Sequence, residues 1–372
     1  MRSLHLLPHT EAIDGIQRAA LDLCRGLAAR GDEPAVLVLG HGNNLAAWEQ
    51  VAEVREATPF LVCSLRKPLA AARTARLARS LHGRFDVVVV HRLDMLNGAA
   101  IIAALNGKPL AFHAHNGPPP WLEWKSLLRV PGARRVRRLI VASRFMAQEW
   151  RPIVGELPIE VLEYPIDAGH FHPPSTAERD SARAAVGADT EEFVVGYVGR
   201  LEASKGPHVL CAAARRLHDE GLAVRLVLQG SAGLAVGATD AAAYRQRCTA
   251  LLGPCPATWT PPAPDVRPTI YASDVCVVPS IWPEPSGLVV AEGLSTGTPV
   301  IASAVGGIPE QLPDFRQAAL VPADDVDGLA AALRTFRDNP PTDEERVELR
   351  AHVEATRLLP GISCRYQTVL AT

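Results

Sequence analysis

The sequence is short of several things, and each shortage removes a class of protein. No apolar run approaches the roughly 18 residues that a membrane-crossing helix needs. Net charge is only −2 over 372 residues, so no bulk field draws the chain to nucleic acid. The opening Met1-Arg-Ser-Leu-His-Leu-Leu-Pro-His9 turns polar too soon for a signal peptide and suits a first strand. Seven cysteines are scattered without a Cys-x-x-Cys pair; an odd count of this kind fits a reducing cytoplasm. The glycines of Gln229-Gly-Ser-Ala-Gly233 fall short of a Gly-x-Gly-x-x-Gly fingerprint, which argues against NAD. Lysine is scarce, four against thirty-four arginines, a bias that suggests a GC-rich coding genome. Arginine abundance is therefore poor evidence of anion binding, and each lysine earns notice.

What remains is a chain 48% apolar and long enough for two ordinary domains. Short apolar runs alternate with longer helical patterns, the signature of doubly wound parallel-sheet α/β domains. The pattern predicts strands at Ser3–Leu7, Ala35–Leu39, Val87–Val90, Leu110–Ala114 and Leu139–Ala142. Further strands are expected at Val194–Val198, Val224–Gln229, Val275–Val278 and Val300–Ile301, with helices at Gln17–Arg30 and Leu69–Leu81 among others. The polar, proline-led stretch from Pro173 to Arg183 reads as the connection between domains.

The densest chemistry lies in Pro279-Ser-Ile-Trp-Pro-Glu-Pro-Ser-Gly-Leu-Val-Val-Ala-Glu292. Glu284 and Glu292 stand seven intervening residues apart, and Pro285, Ser286 and Gly287 open what reads as a helix. A serine can cap free N–H groups there, and a glycine lets a ligand approach the backbone. The partial positive charge of such a terminus suits a phosphate. One carboxylate before it and one inside the helix could grip hydroxyls on either side, the layout of a sugar nucleotide. The plainer reading is a helix with a solvated Glu. Upstream, Phe193–Gly206 reads as buried strand, turn and helix, and its turn carries Arg200 and Lys205. An arginine fork and a lysine point charge both suit phosphate oxygens. Breaking a sugar–diphosphate bond adds negative charge to the leaving group, which fixed cations stabilise.

Together these residues resemble the retaining glycosyltransferases of family 4. The likeness rests on Gly199-Arg-Leu-x3-Lys-Gly206, Glu284-x7-Glu292, Gly297-Thr-Pro-Val-Ile301, Gly306-Gly-Ile-Pro-Glu310 and Tyr271–Ser280. It is strong over about 193–335 and weaker over the first half. The resemblance implies a GT-B fold: two Rossmann-like domains facing a central cleft, with 1–172 binding the acceptor and 173–353 the nucleotide sugar. A C-terminal helix, for which Val347–Leu370 is long enough, would pack back on the first domain with about 354–372. It also implies that Glu292 binds the ribose, Glu284 the donor sugar, and Arg200 and Lys205 the diphosphate, helped by Gly287 and Leu288. No metal is expected. The chain departs from the family in carrying Ser286 where an aromatic is usual, and the single Gly15 where two glycines are common.

In the first half, Asp14-Gly15-Ile-Gln-Arg18 follows a strand and opens a helix, a place for backbone donors to meet sugar or phosphate. Lys108–Trp121 ends a strand with His113 and His115 and enters a proline-rich loop. The family's recurring active-site histidine matches His115 best and His113 second, with a core role the alternative for His113. Their alternation puts both on one strand face, as a metal pair would need, but no Asp, Glu or Cys nearby completes a shell. His113, Asn116 and Trp121 are expected to border the acceptor, and Trp124 follows. Arg134, Arg135, Arg137 and Arg138 read as a solvated helix face, with docking on an anionic membrane the less favoured alternative. Asp325-x-Asp327 reads as a helix cap rather than a metal motif.

The expected activity is transfer, with retention, of a hexosyl or N-acetylhexosaminyl group from a UDP-sugar more readily than a GDP-sugar. A front-face route, in which the departing phosphate takes the acceptor proton, would explain why no dedicated base is obvious. The acceptor is expected to be small and polar, an aminocyclitol of antibiotic assembly or another secondary-metabolite intermediate, with phosphatidylinositol, inositol phosphate or a glycan the alternatives. Competing readings are a sugar-nucleotide epimerase on the same fold and a non-catalytic nucleotide-sugar-binding partner.

Overall fold

The computed structural model describes residues 1–10, 15–57, 68–119, 131–230, 238–312 and 314–372. Asp14, Cys63, Trp121, Trp124 and Gly233 lie outside them. Two compact units emerge: Met1–Pro165 together with Leu359–Thr372, and Ile166–Leu358.

The first unit is built on seven parallel strands: β1 (Arg2–His9), β2 (Glu33–Gly40), β3 (Glu53–Glu56), β4 (Val87–Val90), β5 (Leu110–Ala114), β6 (Val136–Val141) and β7 (Ile159–Val161). Their order is β3-β2-β1-β4-β5-β6-β7. Four consecutive valines make β4, all buried, because a central parallel strand is covered on both faces and favours stiff β-branched side chains. Val88, Val90, Leu6 and Leu139 pack on one face with Leu96 and Ile102 of helix Leu96–Asn106. On the other, Val87, Val89 and Ile140 meet Leu23 and Leu27 of helix Gly15–Ala29 and Ile362 and Tyr366 of helix Leu359–Ala371.

The second unit has six parallel strands: β8 (Phe193–Val198), β9 (Val224–Gln229), β10 (Ala257–Thr260), β11 (Val275–Val278), β12 (Val300–Ser303) and β13 (Ala318–Val321), ordered β10-β9-β8-β11-β12-β13. In both sheets the chain winds outward from its first strand, then jumps to that strand's other side. The reversal falls at β1/β4 and at β8/β11, and ligands of such sheets sit beyond the carboxyl ends of the strands there.

Several expectations change. The stretch 173–183 is no linker: helix Thr176–Ala185 opens on a Ser175–Glu178 capping box, and Arg179 and Arg183 clasp Asp274 within the second unit. The chain passes between units at Pro165/Ile166, ahead of the expected 172/173. The single helix expected over Val347–Leu370 is two, Asp343–Arg357 and Leu359–Ala371, broken at Leu358, whose ψ of 133° is extended. At the break Ile166 and Leu358 form a parallel bridge, and the Ile166 N–H donates to the Arg357 carbonyl at 2.8 Å. The arginines 134–138 lie on a 3-10 turn (Pro131–Arg135) and the start of β6, so they present no helical face. Arg138 pairs with Glu160 at 2.6 Å. Among the described residues no helix is long and apolar enough to cross a membrane.

Candidate functional site

In the second unit the carboxyl ends of β8 and β11 bring the sequence motifs together. The turn after β8 closes as a 3-10 helix at Ala203–Lys205 and passes through Gly206 at φ +70°. A Cβ on Gly206 would stand 1.9 Å from the Pro279 carbonyl oxygen, so only glycine lets this turn approach the end of β11. The approach places Lys205 Nζ 2.5 Å from Glu284 Oε1, which also accepts from Ser280 Oγ at 2.6 Å. Glu284 is held through its backbone too. The Gly307 N–H donates to its carbonyl at 2.7 Å, and a Cβ on Gly306, at φ +59°, would fall 2.2 Å from that same oxygen. A largely buried lysine and carboxylate are thus fixed in one spot by two glycine-permitted contacts.

Arg200 is exposed and pairs with Glu202 at 2.9 Å, so its guanidinium is near the lysine in sequence but turned to a separate partner. Beyond Glu284 the chain turns through Pro285 and Ser286 to Gly287, φ +85°, the residue that caps helix Leu288–Ser295. The serine is not the cap: no side chain caps this terminus, and Ser286 Oγ is buried with no hydrogen-bond partner among the described residues. Glu292, in the second turn, is 1% exposed. The aspartate motif near 325 behaves as expected: Asp325 caps helix Val326–Asp338, accepting from the Gly328 N–H at 2.8 Å.

In the first unit β1, β5 and the residues just past β4 and β5 carry imidazoles instead of charges. Gly15 is exposed at the start of its helix, and Asn116 is exposed just past β5, its carbonyl accepting from Trp150 Nε1 at 3.0 Å. His113 and His115 are both buried; His115 belongs to a row, and His113 lies beside it with its Nε2 unpartnered among the described residues. Ser3 Oγ lies 3.0 Å from His5 Nε2, His5 Nδ1 3.0 Å from His91 Nε2, His91 Nδ1 2.8 Å from His115 Nε2, and His115 Nδ1 2.8 Å from the Tyr164 hydroxyl. Tyr366 reaches His113 Nδ1 at 3.4 Å. Burial pushes His5 down to about 4 and His115 to about 3, and holds His91 and His113 well below the usual imidazole range. At neutral pH every ring is uncharged, with one N–H and one lone pair. The row then has only two complete polarities, one with Tyr164 donating toward Ser3 and one with Ser3 donating toward Tyr164.

Both ring nitrogens of His115 are therefore engaged by protein. To hydrogen-bond a sugar it would have to release His91 or Tyr164. The metal question also changes, because folding supplies a third imidazole: the facing nitrogens of His91, His113 and His115 lie within 4.8 Å of one another. Two of these nitrogens already satisfy each other, so a metal would have to break the row. Sequence reasoning missed Ser3, His5, His91, Tyr164 and Tyr366. A signal existed for two of them: His5 interrupts an apolar strand, and His91 directly follows the four valines that end at the β1/β4 reversal.

Comparison with known proteins accounts for both units. Residues 178–353 match the family model of glycosyl transferases group 1, and residues 13–170 match that of Glycosyltransferase Family 4. A D-inositol 3-phosphate glycosyltransferase from Mycobacterium sp. (strain KMS) is 32% identical over 270 residues, covering 68% of this chain and 56% of that protein. One from Rhodococcus opacus is 35% identical over 187 residues, 49% of this chain and 41% of its own. The chain thus spans just over half the length of the first of these relatives. Among solved structures, Anabaena HepE in complex with UDP and glucose superposes with a TM-score of 0.84 at 21% identity, each chain covered in full. The sucrose-phosphate synthase of Thermosynechococcus elongatus gives 0.76 at 20% identity, covering 99% of this chain and 98% of that one. These likenesses establish the two-domain architecture that HepE and the synthase share.

Proposed function

Because the chain joins a family 4-like glycosyltransferase domain to a group 1 glycosyltransferase domain on a GT-B fold, we propose that it transfers a hexosyl or N-acetylhexosaminyl group from a UDP-sugar. The observation that carries this is the Lys205–Glu284–Ser280 cluster at the β8/β11 reversal, beside the uncapped helix start at Gly287. A nucleoside diphosphate brings to such a place the anion that both the lysine and the free helix N–H groups can take. In this reading Lys205 exchanges Glu284 for phosphate oxygens, and the released carboxylate binds a hydroxyl of the donor sugar. Arg200 leaves Glu202 for the same diphosphate, Leu288 offers its N–H, Pro285 fixes the loop, and Glu292 takes the ribose.

The charge that develops on the leaving diphosphate is stabilised by fixed cations, with no metal required. Retention through front-face attack follows the family resemblance, the departing phosphate taking the acceptor proton. His115 is proposed as the first unit's catalytic contribution, Gly15 as a donor contact, and His113, Asn116 and Trp121 as acceptor-binding residues. UDP is preferred over GDP because the superposed HepE structures hold UDP and UDP-glucose. A cyclitol acceptor is favoured because the curated relatives are named for an inositol phosphate.

The deciding experiment titrates the protein with UDP, GDP and their sugars by calorimetry, then pairs the donor that binds with inositol, inositol phosphate and aminocyclitol acceptors. Mass spectrometry should show a hexose or N-acetylhexosamine increment on one acceptor. Stereochemical change in the donor without an acceptor would indicate an epimerase. Binding of a UDP-sugar without product from any acceptor would indicate a non-catalytic partner.

A further inference from the structure

Gln311 ends the 3-10 turn Ile308–Glu310 and is 2% exposed. Both polar atoms of its side chain, Oε1 and Nε2, are buried with no hydrogen-bond partner among the described residues. A buried, unpartnered carboxamide is costly, so one left whole in a folded core calls for an explanation. Its position supplies one: Nε2 lies 3.5 Å from where a Cβ on Gly287 would stand, beside Ile308 and Val290, at the start of helix Leu288–Ser295. One residue earlier, Ser286 Oγ is in the same condition at 1% exposure. Two unsatisfied polar side chains thus flank a helix start that no side chain caps.

The kind of ligand follows from what a carboxamide offers. Phosphate oxygens only accept; they would satisfy Nε2 and set anionic oxygens against Oε1. A hydroxyl both donates and accepts, so it can take up Nε2 and Oε1, and a second one can meet Ser286. We infer that Gln311, with Ser286, is a specificity-determining residue that reads hydroxyl groups of the sugar on a sugar nucleotide held at Gly287. This rests on the donor reading above and adds to it a residue outside the Glu284–Glu292 segment.

The test compares wild type, Gln311→Leu and Ser286→Ala for binding of UDP, UDP-glucose, UDP-galactose and UDP-N-acetylglucosamine by calorimetry, with melting temperatures of the ligand-free proteins. Leucine removes the orphaned amide and keeps apolar packing, so Gln311→Leu should melt at or above the wild-type temperature. Its UDP affinity should stay within about twofold of wild type. Its affinity for the preferred UDP-sugar should fall about tenfold, as one lost neutral hydrogen bond predicts, and its discrimination among the sugars should narrow. Ser286→Ala should show the same split. Equal affinities of wild type and Gln311→Leu for every sugar would overturn the inference, as would equal losses for UDP and UDP-sugars. Failure of wild type to bind UDP or any UDP-sugar would overturn the donor reading itself, a different result.

Discussion

The two sheets carry opposite chemistry. Within β1 and just past β4 and β5, neutral rings satisfy one another from Ser3 to Tyr164. Beyond β8 and β11 stand a lysine and a carboxylate held 2.5 Å apart, with unsatisfied groups at Ser286 and Gln311 beside them. The row from Ser3 to Tyr164 closes on itself, although His113 Nε2 beside it is buried without a hydrogen-bond partner among the described residues; the second unit holds charge and hydrogen-bonding capacity in reserve. Self-satisfied polar networks rigidify, while fixed charges without a full set of partners are what an incoming anion can use.

The largest test of this contrast removes the cation. Lys205→Ala should lower transfer by about 10²–10³-fold, the usual loss when one group stabilising transition-state charge is deleted. It also leaves Glu284 buried without its counter-ion, which should cost about 3 kcal/mol in urea unfolding. Lys205→Met combined with Glu284→Gln should recover most of that stability and none of the transfer. Recovery of both would show that the pair is structural only.

The next effect is steric. Gly306→Ala sets a Cβ into the Glu284 backbone at a positive φ, and should cost about 2 kcal/mol while weakening UDP binding. Unchanged UDP affinity would separate the glycine contacts from the site.

A milder effect should appear in the first unit on acidification. The folded His5 and His115 resist protonation down to about 4 and about 3, whereas the unfolded chain takes up protons from about 6.5. Stability is therefore full above about pH 6.5 and declines as pH falls toward 4 and 3, by up to about 1.4 kcal/mol per pH unit for each ring. Denaturant melts at pH 7 and pH 6 should show the onset of this slope, and His5→Asn should reduce it by that ring's share. An unchanged slope would mean that the row does not resist charging.

The smallest effect belongs to charges away from either strand end. Arg334 bridges Glu220 on the surface, so Arg334→Ala should leave the unfolding midpoint and UDP binding unresolved from wild type.

Much of the architecture could be read in advance because parallel sheets write themselves as short apolar runs. Val87–Val90, Leu110–Ala114, Val224–Gln229 and Val275–Val278 have the limits their valines and leucines suggest. The edge strands Glu53–Glu56 and Ile159–Val161 escaped because an edge needs little apolar surface, and Glu-Val-Arg-Glu carries none of the signal. The stretch 173–183 misled because a polar, capped surface helix shares its composition with a linker. In the second unit the segments 199–206 and 279–292 could be named because each is contiguous. The imidazole row could not, since residues 3, 5, 91, 115 and 164 meet only through strand order. Gln311 was invisible for a different reason: orphanhood is a property of surroundings, and composition says nothing about it.

The break at Leu358 bears on the order of events during synthesis. Helix Leu359–Ala371 covers the first sheet with Ile362 and Tyr366, yet it emerges from the ribosome only after all of residues 166–358. The unit made first must wait, part of its apolar face bare, while its younger neighbour has everything required to collapse.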